Sequence, residues 1–470
     1  MSRKMKNQVL KGLTIERIAA EGKCVAHYEG KVVFVPQVAP GDIVDVRVTK
    51  GRNSYLEGEA IHIQHYSPDR SEPFCSHFGV CGGCKWQHIS YPLQLSYKRQ
   101  QVIDQFQRIA KVPIPDVLPI IGASESTYYR NKLDFTFSSN RWLTSEEIAS
   151  GEEFERYALG FHVPKRFDKI VDIDHCYLQG GISNEVRNKL RDYALEKEFS
   201  FYDLIQQQGL LRNLIIRNTL SGQTMVIVQF GEENPEAIRE VMTFLQEEFP
   251  EITSLLYIIN QKKNETFHDL EVHTFAGKPY IEEEMEGLTF RVGPKSFYQT
   301  NPAQAHRLYE VAREFAGLSG DEIVYDLYTG TGTIANFVAR KAKQVIGIEY
   351  VEEAIADAKI NAAENGLTNT LFYGGDMKDL LTADFMERHA APDVVITDPP
   401  RAGMHNDVIQ TLLQLAAPKI VYVSCNPATQ ARDVALLSEK YDVRAVQPVD
   451  MFPQTYHVEN VVLLTKKPNL

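Results

Sequence analysis

Val421-Tyr422-Val423-Ser424-Cys425-Asn426-Pro427-Ala428-Thr429 is the stretch around which the chain is organised. Residues 421 to 423 are apolar and rich in β-branched side chains, which predicts a buried strand. Asn426-Pro427 ends this strand, because proline lacks an amide donor and turns the chain. Cys425 is therefore expected at the carboxyl end of a strand, where open α/β sheets bind their ligands. The ordinary alternative for a free cysteine is a small buried hydrophobe.

Two strands farther towards the N-terminus carry the signs of a nucleotide-like cofactor. The segment Ile323–Leu327 is followed by Tyr328-Thr329-Gly330-Thr331-Gly332-Thr333 and by a predicted helix over 334–341, and the next strand, 345–349, ends in Glu349. Glycines let the backbone approach a ligand, and a carboxylate accepts hydrogen bonds from ribose hydroxyls. Because the pattern is not Gly-x-Gly-x-x-Gly, Asp-x-x-x-Gly-x-Gly with Glu349 favours an S-adenosylmethionine site over a dinucleotide site.

A third strand, over 394–397, ends in Asp398-Pro399-Pro400-Arg401. The two prolines stiffen the loop beside the predicted cofactor. Amino-methyltransferases have a similar Asp-Pro-Pro followed by an aromatic residue, and here Arg401 takes that position. Together with the cysteine strand that follows, this favours methylation of a carbon atom, which requires a nucleophile.

Four of the six cysteines predict a metal centre. Cys75, Cys81 and Cys84 lie within ten residues, and Cys176 follows at a distance in Asp174-His175-Cys176. Four thiols in this arrangement suit an iron–sulfur cluster or zinc. The Cys-x3-Cys-x2-Cys spacing of radical enzymes is absent, which argues against that class. Zinc stays open as the alternative, with three histidines that could replace a cysteine: His77, His88 and His175.

Residues 1–66 predict a small β-barrel. Its clearest strands, 31–35 and 43–48, are bounded by turn clusters at Pro40-Gly41-Asp42 and Lys50-Gly51-Arg52-Asn53. Gly22, Ala26, Phe34-Val35-Pro36, Tyr55 and Glu57-Gly58 resemble the TRAM domain, an OB-like module that binds RNA. Residues 1–60 carry 10 Lys and Arg against 7 Asp and Glu, whereas the whole chain has a net charge of −12. A basic head on an acidic body permits RNA binding, with a barrel used only for packing as the alternative.

Residues 67–285 predict a second α/β domain that carries the cysteines. Apolar residues at helical spacing predict a helix from Tyr91 to Ala110, and its part from 93 to 110 is a candidate for packing on the C-terminal domain. Strands are expected at 132–137, 157–162, 214–217 and 225–230, with a helix at 234–248. Arg130-Asn131-Lys132 could contact RNA phosphates, although such basic turns usually face water.

Length and composition agree with two or three soluble domains. The chain has 470 residues, of which 43% are hydrophobic and 24% charged. No apolar run has the length of a membrane span, and the first residues lack the apolar core of a signal peptide. We therefore expect a cytoplasmic protein without membrane contact, in which cysteines serve metal binding or catalysis.

The motifs together resemble the RNA uracil-5 methyltransferase family, and the resemblance covers nearly the whole chain. Beside the segments named above, it rests on Phe297-Tyr298-Gln299-Thr300-Asn301 and His457-Val458-Glu459-Asn460. It implies a Rossmann-like methyltransferase domain over 286–470 and a [4Fe–4S] cluster on the four cysteines. It also implies that S-adenosylmethionine is bound by Gln299, Tyr328, Glu349 and Asp398, with Thr333 and Asp376 as further candidates.

The same resemblance implies a covalent mechanism. Uracil C5 is a poor nucleophile, so Cys425 is expected to add to C6 and Glu459 to remove the C5 proton afterwards. The uridine must leave any stack, and Phe297 is a candidate platform for it, with core packing as the alternative. We expect a monomer that makes 5-methyluridine in 23S ribosomal RNA. The alternatives are transfer RNA, another base or DNA, and a non-catalytic RNA-binding or assembly protein.

Overall fold

Alternating burial shapes the N-terminal domain. The computed structural model describes residues 5–19 and 22–468, so residues 1–4 and 20–21 of the predicted barrel and residues 469–470 lie outside the described part. In the strand Ile43–Gly51, Val44, Val46 and Val48 are buried while the residues between them are more exposed, as expected of a strand with one solvated face. The strands pair in the order β1-β5-β6-β4-β3-β2 and are β1 (Val9–Thr14), β2 (Arg17–Ile18), β3 (Cys24–Tyr28), β4 (Lys31–Val35), β5 (Ile43–Gly51) and β6 (Tyr55–His65).

A long helix connects this sheet to the rest of the molecule. The predicted helix over 91–110 is confirmed as α1 (Tyr91–Gln105), prolonged by a π-helical turn (Phe106–Ala110). Its buried stripe has a spacing of four and consists of Gln94, Lys98, Val102, Phe106 and Ala110. The last three of these residues belong to the core of the C-terminal sheet.

The central domain is built on a second sheet, in which only β11 and β12 are parallel. The four predicted strands and the predicted helix are confirmed within three residues at their ends, whereas α2, β9, α3, β12 and β13 were not predicted. The order is β13-β12-β11-β10-β7-β8-β9. The elements are β7 (Lys132–Ser138), α2 (Ser145–Ser150), β8 (Ala158–Val163), β9 (Arg166–Asp172), α3 (Ser183–Glu196), β10 (Leu211–Asn218), β11 (Thr224–Phe230), α4 (Pro235–Glu248), β12 (Ser254–Ile259) and β13 (His273–Gly277).

A two-stranded hairpin follows, β14 (Ile281–Met285) and β15 (Leu288–Val292). Its apolar residues pack in the same core as the helices of the C-terminal sheet. The predicted boundary between residues 285 and 286 falls at the turn of this hairpin. The domain boundaries remain predictions.

The C-terminal sheet has the mixed α/β topology predicted from its strand and loop pattern. Its order is β18-β17-β16-β19-β20-β22-β21, with the first five strands parallel and β22 antiparallel between β20 and β21. The strands are β16 (Ile323–Leu327), β17 (Gln344–Glu349), β18 (Thr370–Gly374), β19 (Val394–Thr397), β20 (Lys419–Ser424), β21 (Tyr441–Val449) and β22 (Glu459–Lys466). The helices are α5 (Pro302–Ala316), α6 (Thr333–Ala339), α7 (Glu352–Glu364), α8 (Met377–Leu380), α9 (Ala383–His389), α10 (Asn406–Leu415) and α11 (Pro427–Leu437).

The strand order determines where a site can lie. The carboxyl ends of β16, β17, β19 and β20 meet at one edge of the sheet, which is where ligands bind in open α/β folds.

Among the described residues, no helix combines the length and the apolar character that a membrane crossing requires.

Candidate active site

Cys425 lies between the end of β20 and the start of α11. Asn426 caps the helix by accepting a hydrogen bond from the amide of Ala428 at 3.1 Å, and Pro427 occupies the first helical turn. The hydroxyl oxygen of Ser424 accepts the amide of Asn426 at 3.1 Å. These bonds fix the backbone on both sides of a thiol that is only partly buried.

Glu459 reaches the same point from the neighbouring strand. Ser424 pairs with Asn460 in the antiparallel ladder of β20 and β22, so Glu459, one residue earlier, flanks the end of β20 that carries Cys425. The side chain of Gln430 on α11 holds this corner, because it donates to the carbonyl oxygens of Tyr422 and Asn460 and accepts from the Asn460 amide. Glu459 is 3% exposed.

The electrostatics of this corner favour uncharged side chains. Burial raises the pKa of the Cys425 thiol to about 11, and the carboxyl groups of Glu459 and Asp398 add to the effect. Burial, with Asp398 beside it, also raises the pKa of Glu459 well above its ordinary value. The guanidinium of Arg401 opposes both shifts. At neutral pH the thiol therefore keeps its proton until a partner removes it.

The Asp398–Gly403 loop is tied directly to the cysteine loop. The Asn426 amide donates to the carbonyl oxygen of Arg401 at 3.0 Å, and the Thr429 hydroxyl donates to the same oxygen at 3.2 Å. Asp398 sits beneath, where burial and the neighbouring Asp326 raise its pKa. The Asp-Pro-Pro-Arg and Ser-Cys-Asn-Pro segments thus form one rigid unit.

The predicted cofactor loop has the geometry of a ligand cradle. Tyr328, Gly330 and Gly332 have positive φ angles of 61°, 54° and 75°. A side chain at position 332 would meet Ala358 at 2.8 Å, so glycine is required there. Glu349 is fixed by accepting the amides of Gly330, Tyr350 and Val351 at 2.8–3.1 Å. A carboxylate at the end of β17 can accept hydrogen bonds from ribose hydroxyls, and the glycines let the backbone come close to a ligand. Both features fit the ribose and adenine of S-adenosylmethionine.

The structure also gives the contacts of Phe297, the predicted platform for the base, and of the cofactor candidates Thr333, Gln299 and Asp376. Phe297 is 69% exposed, and its carbonyl oxygen accepts the hydroxyl of Thr331 at 3.4 Å. Thr331 in turn contacts Thr333, the first residue of α6, at 3.3 Å. The backbone oxygen of Gln299 accepts the Asn131 amide of the central domain at 3.1 Å. Asp376 caps α8 by accepting the amide of Lys378, so part of its hydrogen-bonding capacity is used locally.

Asp326 is a residue that the sequence interpretation did not single out as a site residue. It is the last residue but one of β16 and is fully buried. One of its carboxylate oxygens accepts the Thr329 hydroxyl at 2.5 Å, and the other has no hydrogen-bond partner among the described residues. Burial raises its pKa to about 7. Its signal was present as the first residue of Asp-x-x-x-Gly-x-Gly. An unpartnered buried oxygen beside the cradle is a further acceptor for a ligand.

The loop between β21 and β22, residues 450–458, leads directly into Glu459 and is held from outside its own sheet. Lys98 on α1 forms a fully buried ion pair with Asp450 at 2.6 Å and also donates to the carbonyl oxygen of Phe452 at 2.9 Å. The hydroxyl of Tyr91 donates to the second Asp450 oxygen at 2.9 Å. The helix between the domains therefore positions the β21–β22 loop, which the sequence did not reveal.

Other segments hold the same loop. The amides of Lys85 and Trp86, directly after Cys84, donate to the carbonyl oxygen of Gln454 at 2.8 and 3.0 Å. The Tyr129 hydroxyl of the central domain donates to the carbonyl oxygen of Pro453 at 2.9 Å. At the end of the loop, burial and nearby cations lower the pKa of His457 to about 4, so its imidazole is neutral.

The structure brings the four predicted metal ligands together. Cys75, Cys81, Cys84 and Cys176 line one cavity of about 80 Å³. This exceeds the space of a single water molecule several-fold. The amide of Gly83 donates to the Cys81 sulfur at 3.4 Å, an interaction that favours a thiolate. The cavity therefore offers four sulfur ligands and room for a group larger than one atom.

The histidine alternatives separate in the structure. His77 and His175 line the cysteine cavity. His88 does not, because it is buried against the carbonyl oxygen of Val38 at 3.2 Å. Within residues 5–19 and 22–468, no three cysteine sulfurs lie within 4.8 Å of one another. The four thiols and the two cavity histidines are therefore the ligands that this site offers to a metal group.

Two family models match the chain. The model described as tRNA (uracil-5-)-methyltransferase matches residues 216–467, and the TRAM domain model matches residues 3–61. Together they cover both ends of the molecule.

Curated proteins match over almost the full length. An RNA methyltransferase of Bacteroides thetaiotaomicron is 57% identical over 451 residues, which are 95% of this chain and 99% of that protein. Another from Porphyromonas gingivalis is 55% identical over 462 residues, or 97% and 99% of the two chains. Both carry the description of uncharacterized RNA methyltransferases.

Among solved structures, the tRNA (uracil-54, C5)-methyltransferase of Pyrococcus abyssi in complex with S-adenosyl-L-homocysteine is similar throughout. The TM-score is 0.76 at 28% sequence identity, covering 97% of this chain and 100% of that one. The fold, the family models and the relatives agree. The chain is therefore an RNA methyltransferase and belongs to the RNA uracil-5 methyltransferase family.

Proposed function

We propose that the protein methylates C5 of a uridine in structured RNA, with Cys425 as nucleophile and Glu459 as base. The observation that carries this proposal is the corner of β20 and β22, where the ladder pairing brings a thiol and a buried carboxyl group to the same sheet edge. Each of the two groups alone is common. Their combination beside a cofactor cradle serves a reaction in which one group adds to the base and the other removes a proton.

The chain's own residues account for two bond changes. The Cys425 sulfur forms a bond to uracil C6 while its proton passes to a nearby carboxylate or water, and the C5–C6 electron pair moves towards C5 and the O4 carbonyl. S-adenosylmethionine, when bound, supplies the methyl group that C5 accepts. Glu459 in its ionised form then takes the C5 proton, the C5–C6 double bond re-forms and the Cys425 sulfur leaves.

The pKa shifts suit these roles. A carboxyl group with a raised pKa is a stronger base once it has lost its proton, which is what abstraction from carbon requires. His457, whose imidazole is neutral, and Asp398, whose pKa is raised to about 7, are the alternatives for the base. Arg401 opposes the raised pKa of both Cys425 and Glu459 and would support the thiolate as it leaves.

We propose that the cofactor is held by Gln299, Tyr328, Glu349 and Asp398, with Thr333 and Asp376 at its margin. The cradle geometry and the complex of the Pyrococcus abyssi protein with S-adenosyl-L-homocysteine support this assignment. The buried, unpartnered oxygen of Asp326 adds a further candidate contact.

We place 23S ribosomal RNA first as substrate, following the resemblance of the motif set. Transfer RNA is the second candidate, since the similar Pyrococcus abyssi protein acts on uracil-54 of tRNA. We further propose a [4Fe–4S] cluster on the four cysteines, supported by their shared cavity, which has room for a group larger than a single ion. We propose that the protein acts in the cytoplasm as a monomer.

Two variants test the mechanism because they fail differently. Cys425→Ala should give neither 5-methyluridine nor a covalent adduct. Glu459→Gln should still add and accept the methyl group, but it cannot release the C5 proton, so a methylated protein–RNA adduct should accumulate on denaturing gels. The substrates are 23S ribosomal RNA and total tRNA transcripts, with labelled cofactor.

RNA containing 5-fluorouridine serves as the matched control on the wild-type enzyme, because fluorine cannot leave as a proton does. It should trap the same adduct. Normal turnover by Glu459→Gln without trapping would move the base to His457, Asp398 or water. Methylation of uridine C5 by Cys425→Ala would overturn the nucleophile, and the absence of any methyl transfer by the wild type would favour a non-catalytic RNA-binding protein.

A further inference from the structure

A cavity outside the cofactor cradle and the Cys425–Glu459 corner lies between the N-terminal sheet and α1. Its volume is about 700 Å³, within the range of sites that bind a small molecule or a single nucleotide. One wall is formed by strands β2, β3, β4 and β6, and the other by α1 and the π-helical turn after it. We call it the sheet–helix cleft.

The two walls offer complementary chemistry. On the sheet side, the rings of Phe34 and Tyr55 pack edge to face at 5.7 Å and remain partly accessible. On the helix side, Tyr97 presents a third partly accessible ring, and Gln101 a side-chain amide. Aromatic faces and amides are the groups that stack on an unpaired base and read its edge.

Several polar groups of the cleft lack partners. Among the described residues, the side-chain amides of Gln101 and Gln105 and the guanidinium of Arg17 make no hydrogen bond or ion pair. The indole nitrogen of Trp86, which is 1% exposed and lines the cleft, also has none. At the mouth, Arg108 is held by Asp104 at 3.2 Å. The Trp86 nitrogen is buried, and buried polar groups normally have partners. Arg17, Gln101 and Gln105 are at least partly exposed, so they are accessible to a polar ligand.

Packed side chains connect the cleft to the β21–β22 loop. Trp86 lines the cleft and packs in a small cluster with Tyr456, which precedes His457 in the β21–β22 loop. The rings of Tyr456 and His457 lie 4.4 Å apart. The cleft therefore borders the loop that leads into Glu459.

We propose that the sheet–helix cleft binds an unstacked nucleotide of the RNA substrate, separate from the target uridine. The base lies among Phe34, Tyr55 and Tyr97, the amide of Gln101 reads its edge, and Arg17 and Arg108 contact the flanking phosphates. This assignment rests on the proposed function. It makes α1, and not the N-terminal sheet alone, a determinant of which RNA is modified.

The test compares binding and turnover in cleft variants. Loss of one stacking contact should raise the Kd of Tyr97→Ala for a labelled single-stranded oligouridylate at least about fivefold, measured by fluorescence anisotropy at fixed salt. Tyr97→Phe keeps the ring and should bind like the wild type. Gln101→Ala, which removes only an amide, should raise the KM for RNA and leave kcat unchanged.

Phe167→Ala is the matched control, because it removes a ring that is 71% exposed outside the cleft. It should not change the Kd. In the wild type, an oligouridylate carrying 5-bromouridine should photocrosslink to peptides that contain Tyr55 or Tyr97. This arm remains informative if Tyr97→Ala folds poorly.

The outcomes separate this inference from the proposed function. The 5-fluorouridine adduct at Cys425 reports the reaction, and its absence in the wild type would refute the proposed function. If that adduct forms but Tyr97→Ala and Gln101→Ala bind and turn over RNA like the wild type, the cleft does not bind the substrate. Crosslinks confined to other surfaces would refute it equally.

Discussion

The buried ion pair of Lys98 and Asp450 gives the sharpest test of how the β21–β22 loop is held. Both side chains have no exposed surface and meet at 2.6 Å. We consider Lys98→Met, which keeps the length of the side chain and removes its charge. Asp450 then retains only the Tyr91 hydroxyl at 2.9 Å and the Phe452 amide at 3.0 Å as donors.

The expected loss follows from leaving one charge buried without its partner, which costs about 3–5 kcal/mol. That is a large part of the roughly 5–15 kcal/mol by which domains are stable. Asp450→Asn should lose a comparable amount, since it leaves the Lys98 charge unpaired. The double variant should lose clearly less than the sum of the two, because no uncompensated charge remains.

The assay is urea unfolding followed by the fluorescence of Trp86, whose ring lies 5.9 Å from the Lys98 nitrogen. The chain has two tryptophans, so Trp142→Phe makes Trp86 the single probe. Methyl transfer should fall along with stability, because the loop leads into Glu459. A loss below about 1 kcal/mol in Lys98→Met, or strict additivity in the double variant, would refute this account of the loop.

Two further predictions concern the rest of the molecule. Burial raises the pKa of Glu283 to about 7 from 4.5. The folded protein therefore favours the protonated carboxyl group, and the free energy of unfolding falls as the pH rises from 4.5 through 7. Glu283→Gln should match the stability of the wild type near pH 4 and exceed it by up to about 3 kcal/mol near pH 9. Thermal unfolding across this pH range measures the difference, and parallel pH profiles would contradict it. Protein purified without air should be brown with broad visible absorption, and Cys81→Ser should lose this colour along with folding or RNA affinity. Colourless, fully active protein with stoichiometric zinc would rule out the cluster.

The sequence predicted elements well where the signal was local. The parallel strands β16, β17, β19 and β20, the glycine loop and the helix over 91–110 all follow from periodicity and turn residues. The buried stripe of that helix was harder to recognise. The apolar residues Leu93, Leu95 and Tyr97 are only partly buried, whereas the polar residues Gln94 and Lys98 are fully buried. Gln94 and Lys98 can be buried because their hydrogen-bond partners lie in a loop over 350 residues away in the chain.

The candidate site shows the same division. The motifs named Cys425, Glu459 and the cofactor residues, but not the pairing that brings the first two together. That pairing depends on β22 lying between β20 and β21, a long-range arrangement that no local pattern encodes. Asp326 was visible within a motif, whereas its burial and its unpartnered oxygen became apparent only in three dimensions.

The position of β22 also affects how the chain folds during its synthesis. β22 follows β20 and β21 in the chain but lies between them, so β20 is an edge strand and β21 has no strand partner until residues 459–466 have been synthesised. A nascent chain thus carries the proposed nucleophile on an unfinished sheet without its base. Insertion of β22 satisfies both edges and delivers Glu459 in the same event. Completion of the sheet and assembly of the proposed catalytic pair therefore coincide.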